Sequence, residues 1–178
     1  MAGRAGAAPR LTVPAGLVFA DARAGDWASI WEIITVVVAT GDTYPYPPDI
    51  SEEEARRLWM RDGDGEATFV ARLDDQVVGT AYLKANGVGL SDHIANAGWM
   101  LAPHHQGQGI GRPFAEHVID RARDMGYRAM QFNGVVATNT AAVSLWESLG
   151  FEVVGTVPDA FRHARDGLTP VHIMYRRL

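Results

Sequence analysis

Apolar positions along this chain switch repeatedly between two periods. Leu17-Val18-Phe19-Ala20 is a short apolar run and predicts a strand. Trp27, Ile30, Trp31, Ile34 and Val38 then recur at i, i+3, i+4 and predict a helix, with Asp26 as its cap and Gly41 as its stop. Ile33 to Val38 is rich in β-branched residues that also suit a strand, and the spacing of the two tryptophans decides for the helix. Ser51 with Glu54 three residues on is a capping box that opens a second helix. Ala67–Leu73 and Val77–Leu83 read as strands of a hairpin turning at Asp74-Asp75. His93 to Leu101 predicts the next strand. Helical spacing returns from Phe114 to Met125, with Pro113 in the first turn, where its missing N–H costs little.

Ala129 to Val136 predicts a fifth strand. Asn139 caps a helix in which Ala142, Leu145, Trp146 and Leu149 share a face, and Gly150 ends it. Phe151–Val157 and Val171–Tyr175 predict the last two strands, with Pro158 to Pro170 as a polar, basic loop between them. The order is strand, two helices, three strands, helix, strand, helix, two strands. It predicts a single α/β domain with helices on a mixed sheet.

Composition narrows this. The chain has 178 residues, 47% of them hydrophobic, enough for one sizeable core, and no linker interrupts the middle. Met1 to Pro14 reads as a loose tail, and residues 15–178 as the domain. The formal net charge of −5 argues against a general nucleic-acid or anionic-membrane binder. The absence of cysteine excludes disulfides, a thiolate zinc site and a cysteine nucleophile, and suits a reducing compartment. Pro14 and Gly16 break the early apolar stretch, which makes a poor signal-peptide core, and no stretch is long enough to cross a membrane. The expected location is the cytoplasm.

The candidate chemistry centres on Gln106-Gly107-Gln108-Gly109-Ile110-Gly111-Arg112. This glycine turn follows a strand and runs into a helix. Glycines let successive N–H groups point into one concavity, and the helix dipole adds positive potential there, so the segment predicts an anion site. No Gly-Lys-Ser/Thr follows, which excludes a P-loop. Asn96 and Asn133 stand out because asparagine is depleted in strands and a buried polar side chain needs a partner. His104-His105 lacks further ligands at metal spacing, so no metal is expected.

The segments Leu101-Ala-Pro-His-His-Gln-Gly-Gln-Gly-Ile-Gly-Arg112 and Asn139-Thr-Ala-Ala-Val-Ser-Leu-Trp-Glu-Ser-Leu-Gly-Phe151, in this order, resemble the GCN5-related N-acetyltransferase family. The resemblance implies a single mixed, mostly antiparallel sheet of about seven strands with helices on both faces, splayed between the fourth and fifth strands. Gly98 is a natural residue for the bulge that the family places there. It implies acetyl-CoA as co-substrate. Gln106, Gly107, Gln108, Gly109, Ile110, Gly111 and Arg112 would hold its pyrophosphate. Trp99, Met100 and Leu101 would pair with the pantetheine arm, and Asn139 and Trp146 would lie along it. It also implies a homodimer. Many members carry a tyrosine acid where this chain has Trp146, and an indole N–H is no usable acid.

Asn96-Ala97-Gly98, Phe132-Asn133-Gly134 and the Gly41-Asp42-Thr43-Tyr44-Pro45 loop are similar, more narrowly, to the subgroup that acetylates proline analogues such as azetidine-2-carboxylate. That implies Asn133 and Asn96 in catalysis, and Asp42, Tyr44, Asn96 and Asn133 around a small-molecule amine. An N–H near Met100 or Leu101 would serve the oxyanion. Asn133 can donate but cannot act as a base, a role for which His93 is a candidate. The expected function is direct acetyl transfer to a small amine in a ternary complex. Acetylation of a protein or peptide N-terminus, or acyl-CoA binding without catalysis, are the alternatives.

Overall fold

The computed structural model describes residues 13–178. Most of the tail expected over residues 1–14 lies outside them. Seven strands form one sheet in the order β1-β2-β3-β4-β5-β7-β6. They are β1 (Leu17–Asp21), β2 (Ala67–Leu73), β3 (Gln76–Ala85), β4 (Ile94–Leu101), β5 (Ala129–Val136), β6 (Glu152–His163) and β7 (Gly167–Arg177). The helices are α1 (Trp27–Ala39), α2 (Glu52–Trp59), α3 (Gly111–Asp124) and α4 (Thr140–Ser148). All neighbouring strands are antiparallel except β4 and β5, the pair that α3 connects by a crossover. None of the helices is long and apolar enough to cross a membrane.

Side-chain parity splits the core between the two faces of the sheet. Phe69, Leu83, Met130 and Met174 face α3 and α4 and pack with Phe114, Val118 and Ile119. Val70 and Met100 face α1 and α2 and pack with Trp27, Ile30, Ile34 and Trp59. Trp59, Phe69 and Phe114 are fully buried, each contributing about 1.5–3 kcal/mol of transfer free energy. In α1 the helical reading of Ile33 to Val38 holds. Ile33 is buried beside Ile34 and Val38, whereas Trp31 is only half-buried.

The turn chemistry follows the sequence in most places. Asp74 and Asp75 adopt φ of 48° and 66°, as a tight two-residue hairpin requires. Ser51 Oγ accepts from Glu54 N at 3.2 Å, and Asn139 Oδ1 from Ala142 N at 3.1 Å. Asp26 does not cap α1 with its side chain. It accepts instead from the Arg23 N–H and pairs with Arg72, and the Arg23 and Arg72 contacts outweigh its desolvation to hold the carboxyl below its usual range.

Two expectations need correction. The segment Pro158 to Pro170 is not a loop. β6 and β7 form a long hairpin with a tight turn at residues 164–166, where His163 Nδ1 accepts the N–H groups of Arg165 and Asp166. Register shifts between Val153 and Gly155 and between Val157 and Phe161 absorb Pro158 and the positive φ of Asp159. Nor does the bulge fall at Gly98. Register between β3 and β4 runs unbroken from Gly79–Leu101 to Ala85–Ala95. The irregularity lies in β5, at Asn133-Gly134, between the Phe132–Met174 and Val135–His172 pairs.

Candidate active site

β4 and β5 pair only at Ile94–Ala129 and Ala95–Met130, and then part. A cavity of about 780 Å³ occupies the fork and reaches both faces of the sheet. The alternation along β4 decides what faces it. The Asn86 N–H donates to Ile94 O and the Ala102 N–H to Val78 O, so the even-numbered residues turn their backbone groups to β3. The backbones of Ala97, Trp99 and Leu101 are therefore turned into the gap. Met100 stands apart from its neighbours. Its backbone faces Thr80 on β3, and its side chain is buried in the α1–α2 core.

Asn96 sits at the crotch of the fork. Its Nδ2 donates to Gln131 O on β5 at 2.9 Å, and its Oδ1 accepts from the Tyr82 hydroxyl at 3.3 Å. One amide thus ties β3, β4 and β5 together where regular pairing stops. Asn133, in the β5 bulge, is exposed along the cavity wall rather than buried. Its Nδ2 donates to Asn86 Oδ1 at 2.7 Å, and its Oδ1 accepts from Gln131 Nε2 at 2.8 Å.

On the α3–α4 side, the glycine turn presents an open row of N–H groups at the start of a helix. Gly107 and Gly109 have φ of 73° and 81°. No protein acceptor among the described residues takes the N–H groups of Gly107 through Arg112, and α3 begins at Gly111. Gln108 braces the turn, its Nε2 donating to His104 O at 2.8 Å and its Oε1 meeting His105 Nδ1 at 3.2 Å. Arg112 reaches Glu116 at 3.0 Å and Ser148 Oγ at 2.5 Å, linking α3 to the end of α4. The fork floor beside it is aromatic. Trp99 lies 4.8 Å from Trp146 between ring centroids and 5.5 Å from Phe132. Trp99 Nε1 is buried without a partner. Free N–H donors at the turn and an unpaired strand edge fit an anion joined to an extended, amide-bearing arm.

On the α1–α2 side, tyrosines form the wall. Tyr44 donates to Trp99 O at 2.8 Å, capping one carbonyl of the gap edge. Trp59 packs edge-on against Tyr82 and Tyr44, at 4.9 and 5.7 Å. Burial pushes the hydroxyls of Tyr44, Tyr46 and Tyr82 above their usual range, so they stay protonated near neutral pH. Thr43 and Tyr44 line the cavity, whereas Asp42 pairs with Arg165 at 3.6 Å and with Thr40. The Ala164 N–H donates to Gly41 O at 2.9 Å, so the β6–β7 tip is clasped to the end of α1. Sequence reading missed Tyr82, Lys84, Arg61 and this clasp. Tyr82 lies on the strand expected over Val77–Leu83, and Lys84 falls one residue past its expected end, on the part of β3 that the sequence reading left out.

His93 lies just before β4, exposed and outside the cavity lining, so the structure does not bring it to the fork. Among the described residues, the lining contains no carboxylate and no histidine. A smaller cavity of about 390 Å³, lined by Asp21, Arg23, His117 and Arg121, lies away from the fork at the β1 edge.

The profile of the acetyltransferase (GNAT) family matches residues 27–151. Over 143 residues the chain is 38% identical to N-acetyltransferase aca1 of Schizosaccharomyces pombe, covering 72% of this chain and 68% of that protein. A solved GCN5-related N-acetyltransferase from Kribbella flavida is 43% identical with a TM-score of 0.89, over 93% of this chain and 100% of that one. A phosphinothricin acetyltransferase from Sinorhizobium meliloti, solved in complex with AcCoA, is 26% identical with a TM-score of 0.82, over 92% of this chain and 89% of that one.

Proposed function

Since the chain belongs to the acetyltransferase (GNAT) family and is an N-acetyltransferase, we propose that it moves acetyl from acetyl-CoA to the amine of a small molecule, an amino acid or proline analogue, by direct attack in a ternary complex. The observation that carries this reading is the fork, with free N–H donors on one face of the sheet and a tyrosine-walled pocket on the other. The clasp between Gly41 and Ala164 ties the β6–β7 tip to the segment that carries Thr43 and Tyr44 into the cavity wall, which supports a small acceptor over a polypeptide. The same reading takes the enzyme to be a cytoplasmic homodimer.

When bound, acetyl-CoA supplies the activated thioester. The N–H groups of Gly107 to Arg112 hold its pyrophosphate, and the gap-facing backbones of Trp99 and Leu101 hold its arm. Asn139 spends its Oδ1 on the α4 cap, which leaves its Nδ2 for the arm. The Leu101 N–H is turned toward the gap and donates to the acetyl carbonyl oxygen as charge develops there. Trp146 gives no proton, so the departing sulfur is protonated from water, and water takes the proton that the nitrogen loses as the amide forms. Asn133 orients the acceptor, and Asn96 holds the fork open at a fixed width.

With no carboxylate or histidine among the described lining residues to take its proton, the amine must be neutral when it attacks. CoA release from acetyl-CoA, measured over amino acids, proline analogues, polyamines and short peptides across pH, tests this. Release is expected with small amines. Its kcat/KM should rise tenfold per pH unit up to a break that moves with each acceptor's own pKa. A break held at one pH for all acceptors would point to an enzyme base. No release with any acceptor, despite acetyl-CoA binding, would sink the transferase mechanism. Asn133→Ala is expected to keep acetyl-CoA affinity and lose about 100-fold in turnover, the lower end of what one positioned polar group contributes. Unchanged turnover would leave Asn133 only its bonds to Asn86 and Gln131.

A further inference from the structure

The acceptor half of the cavity is basic although the protein is acidic. The chain carries a net charge of −5, yet the charged side chains lining the fork are Arg61 and Lys84. Both lie on the α1–α2 face. Lys84 follows Tyr82 by two residues on β3 and pairs in register with Asn96, which places its side chain on the same face as both. Arg61 lies close enough to Tyr46 and Tyr82 to oppose the upward shift of their hydroxyls. The glycine turn lies across the sheet with α3, so these cations are not the pyrophosphate site.

The two cations differ in how far they are already satisfied. Arg61 Nε donates to Leu58 O at 3.0 Å, and its NH1 lies 3.8 Å from Glu66. Lys84 belongs to none of the ion pairs among the described residues, and it is half-buried. The Lys84 side chain, without an ion-pair partner among the described residues and in a cavity that Arg61 also lines, offers an entering anion an unclaimed partner. An amine that brings its own anion fits that partner. The cations also disfavour the ammonium form of the acceptor nitrogen, which must be neutral to attack.

We propose that Lys84, supported by Arg61, is the subsite for a carboxylate on the acceptor, so that the enzyme selects amino or imino acids over the matching amides and plain amines. This rests on the reading of the fork as the acetyl-transfer site. Lys84 is a specificity residue: it binds the acceptor and takes no part in bond making.

L-proline and L-prolinamide are the matched probes, with acetyl-CoA as donor. With kcat/KM referred to each acceptor's neutral-amine fraction, because the amide's nitrogen is the less basic, the wild type is expected to favour proline over prolinamide by at least tenfold. That preference should fall at least tenfold in Lys84→Met, mainly through KM for proline, and be largely kept in Lys84→Arg. Equal use of the two acceptors by the wild type, or equal loss for both in Lys84→Met, overturns the carboxylate subsite and leaves the transferase reading intact. Calorimetric titration with N-acetyl-L-proline needs no turnover. Binding at least tenfold weaker in Lys84→Met supports the subsite, and equal binding overturns it. If no acceptor is turned over while this difference persists, the transfer reading fails and the anion subsite stands.

Discussion

A variant carrying Gly107→Ala and Gly109→Ala is expected to bind acetyl-CoA about 100-fold more weakly than the wild type, at a nearly unchanged melting temperature; the size follows from about 1–2 kcal/mol per left-handed alanine and 1.4 kcal/mol per tenfold in affinity. Both glycines have φ well above zero. A Cβ on Gly107 meets nothing within 4 Å, so there the penalty lies in the backbone and not in packing. The turn is exposed at Gly107, and its N–H groups are bonded to nothing among the described residues. It can therefore relax to negative φ at little cost to the fold, but relaxation turns the N–H groups out of their shared concavity. The strain then appears as lost affinity for the anion. Titration calorimetry beside thermal denaturation distinguishes the outcomes. A melting temperature lowered by several degrees with affinity intact would mean that the turn keeps its shape and does not shape the anion site.

That turn was the most legible part of the chain, for a physical reason. Its function is carried by backbone conformation, and glycine is the residue type that announces unusual backbone. The β2–β3 hairpin and the caps at Ser51 and Asn139 were legible on the same ground, because turn and cap chemistry is local. The β6–β7 hairpin was legible only in part. Its strands were expected at Phe151–Val157 and Val171–Tyr175, but β6 is largely exposed, so no apolar alternation carries it past Val157, and Pro158, Asp159 and Pro170 read as loop residues. Only pairing with β5 and the two register shifts make it a strand pair.

The asparagines show where residue type stops being informative. Asn96 and Asn133 both attracted attention as polar residues in strands. Asn96 is buried and bonded to two other strands at the point of divergence. Asn133 is exposed, within a bulge that no local pattern in β5 reveals. Lys84 went unremarked because it falls just past the strand expected to end at Leu83, where a lysine is ordinarily a solvated one. Its position opposite Asn96, in a cavity with no carboxylate among the described lining residues, exists only once β3, β4 and α2 are brought together.

Gly98 gives the second large effect, on the other face of the sheet. A Cβ there would stand 2.6 Å from Tyr82 Cε1 and 3.0 Å from the Tyr44 hydroxyl. Neither ring has a free end to yield. Tyr82 is held edge-on to Trp59 and bonded to Asn96, and Tyr44 is bonded to Trp99 O and packed on Tyr46. Gly98→Ala is therefore expected to cost about 1–3 kcal/mol of stability by overpacking, which lowers the melting temperature by about 2–4 °C per kcal/mol. It should also displace Tyr44 from the gap edge, removing most turnover while acetyl-CoA affinity stays within about threefold, since the loss of one bond in the acceptor wall leaves the cradle across the sheet untouched. Gly134→Ala is the control. It lies in the same cavity wall, its Cβ meets nothing within 4 Å, and its φ is not positive, so stability and turnover should both hold. If the two variants behave alike, the tyrosine wall is not what Gly98 protects. If acetyl-CoA affinity falls together with turnover in Gly98→Ala, the two halves of the fork are mechanically coupled through β4 and the separation of cofactor and acceptor faces is wrong.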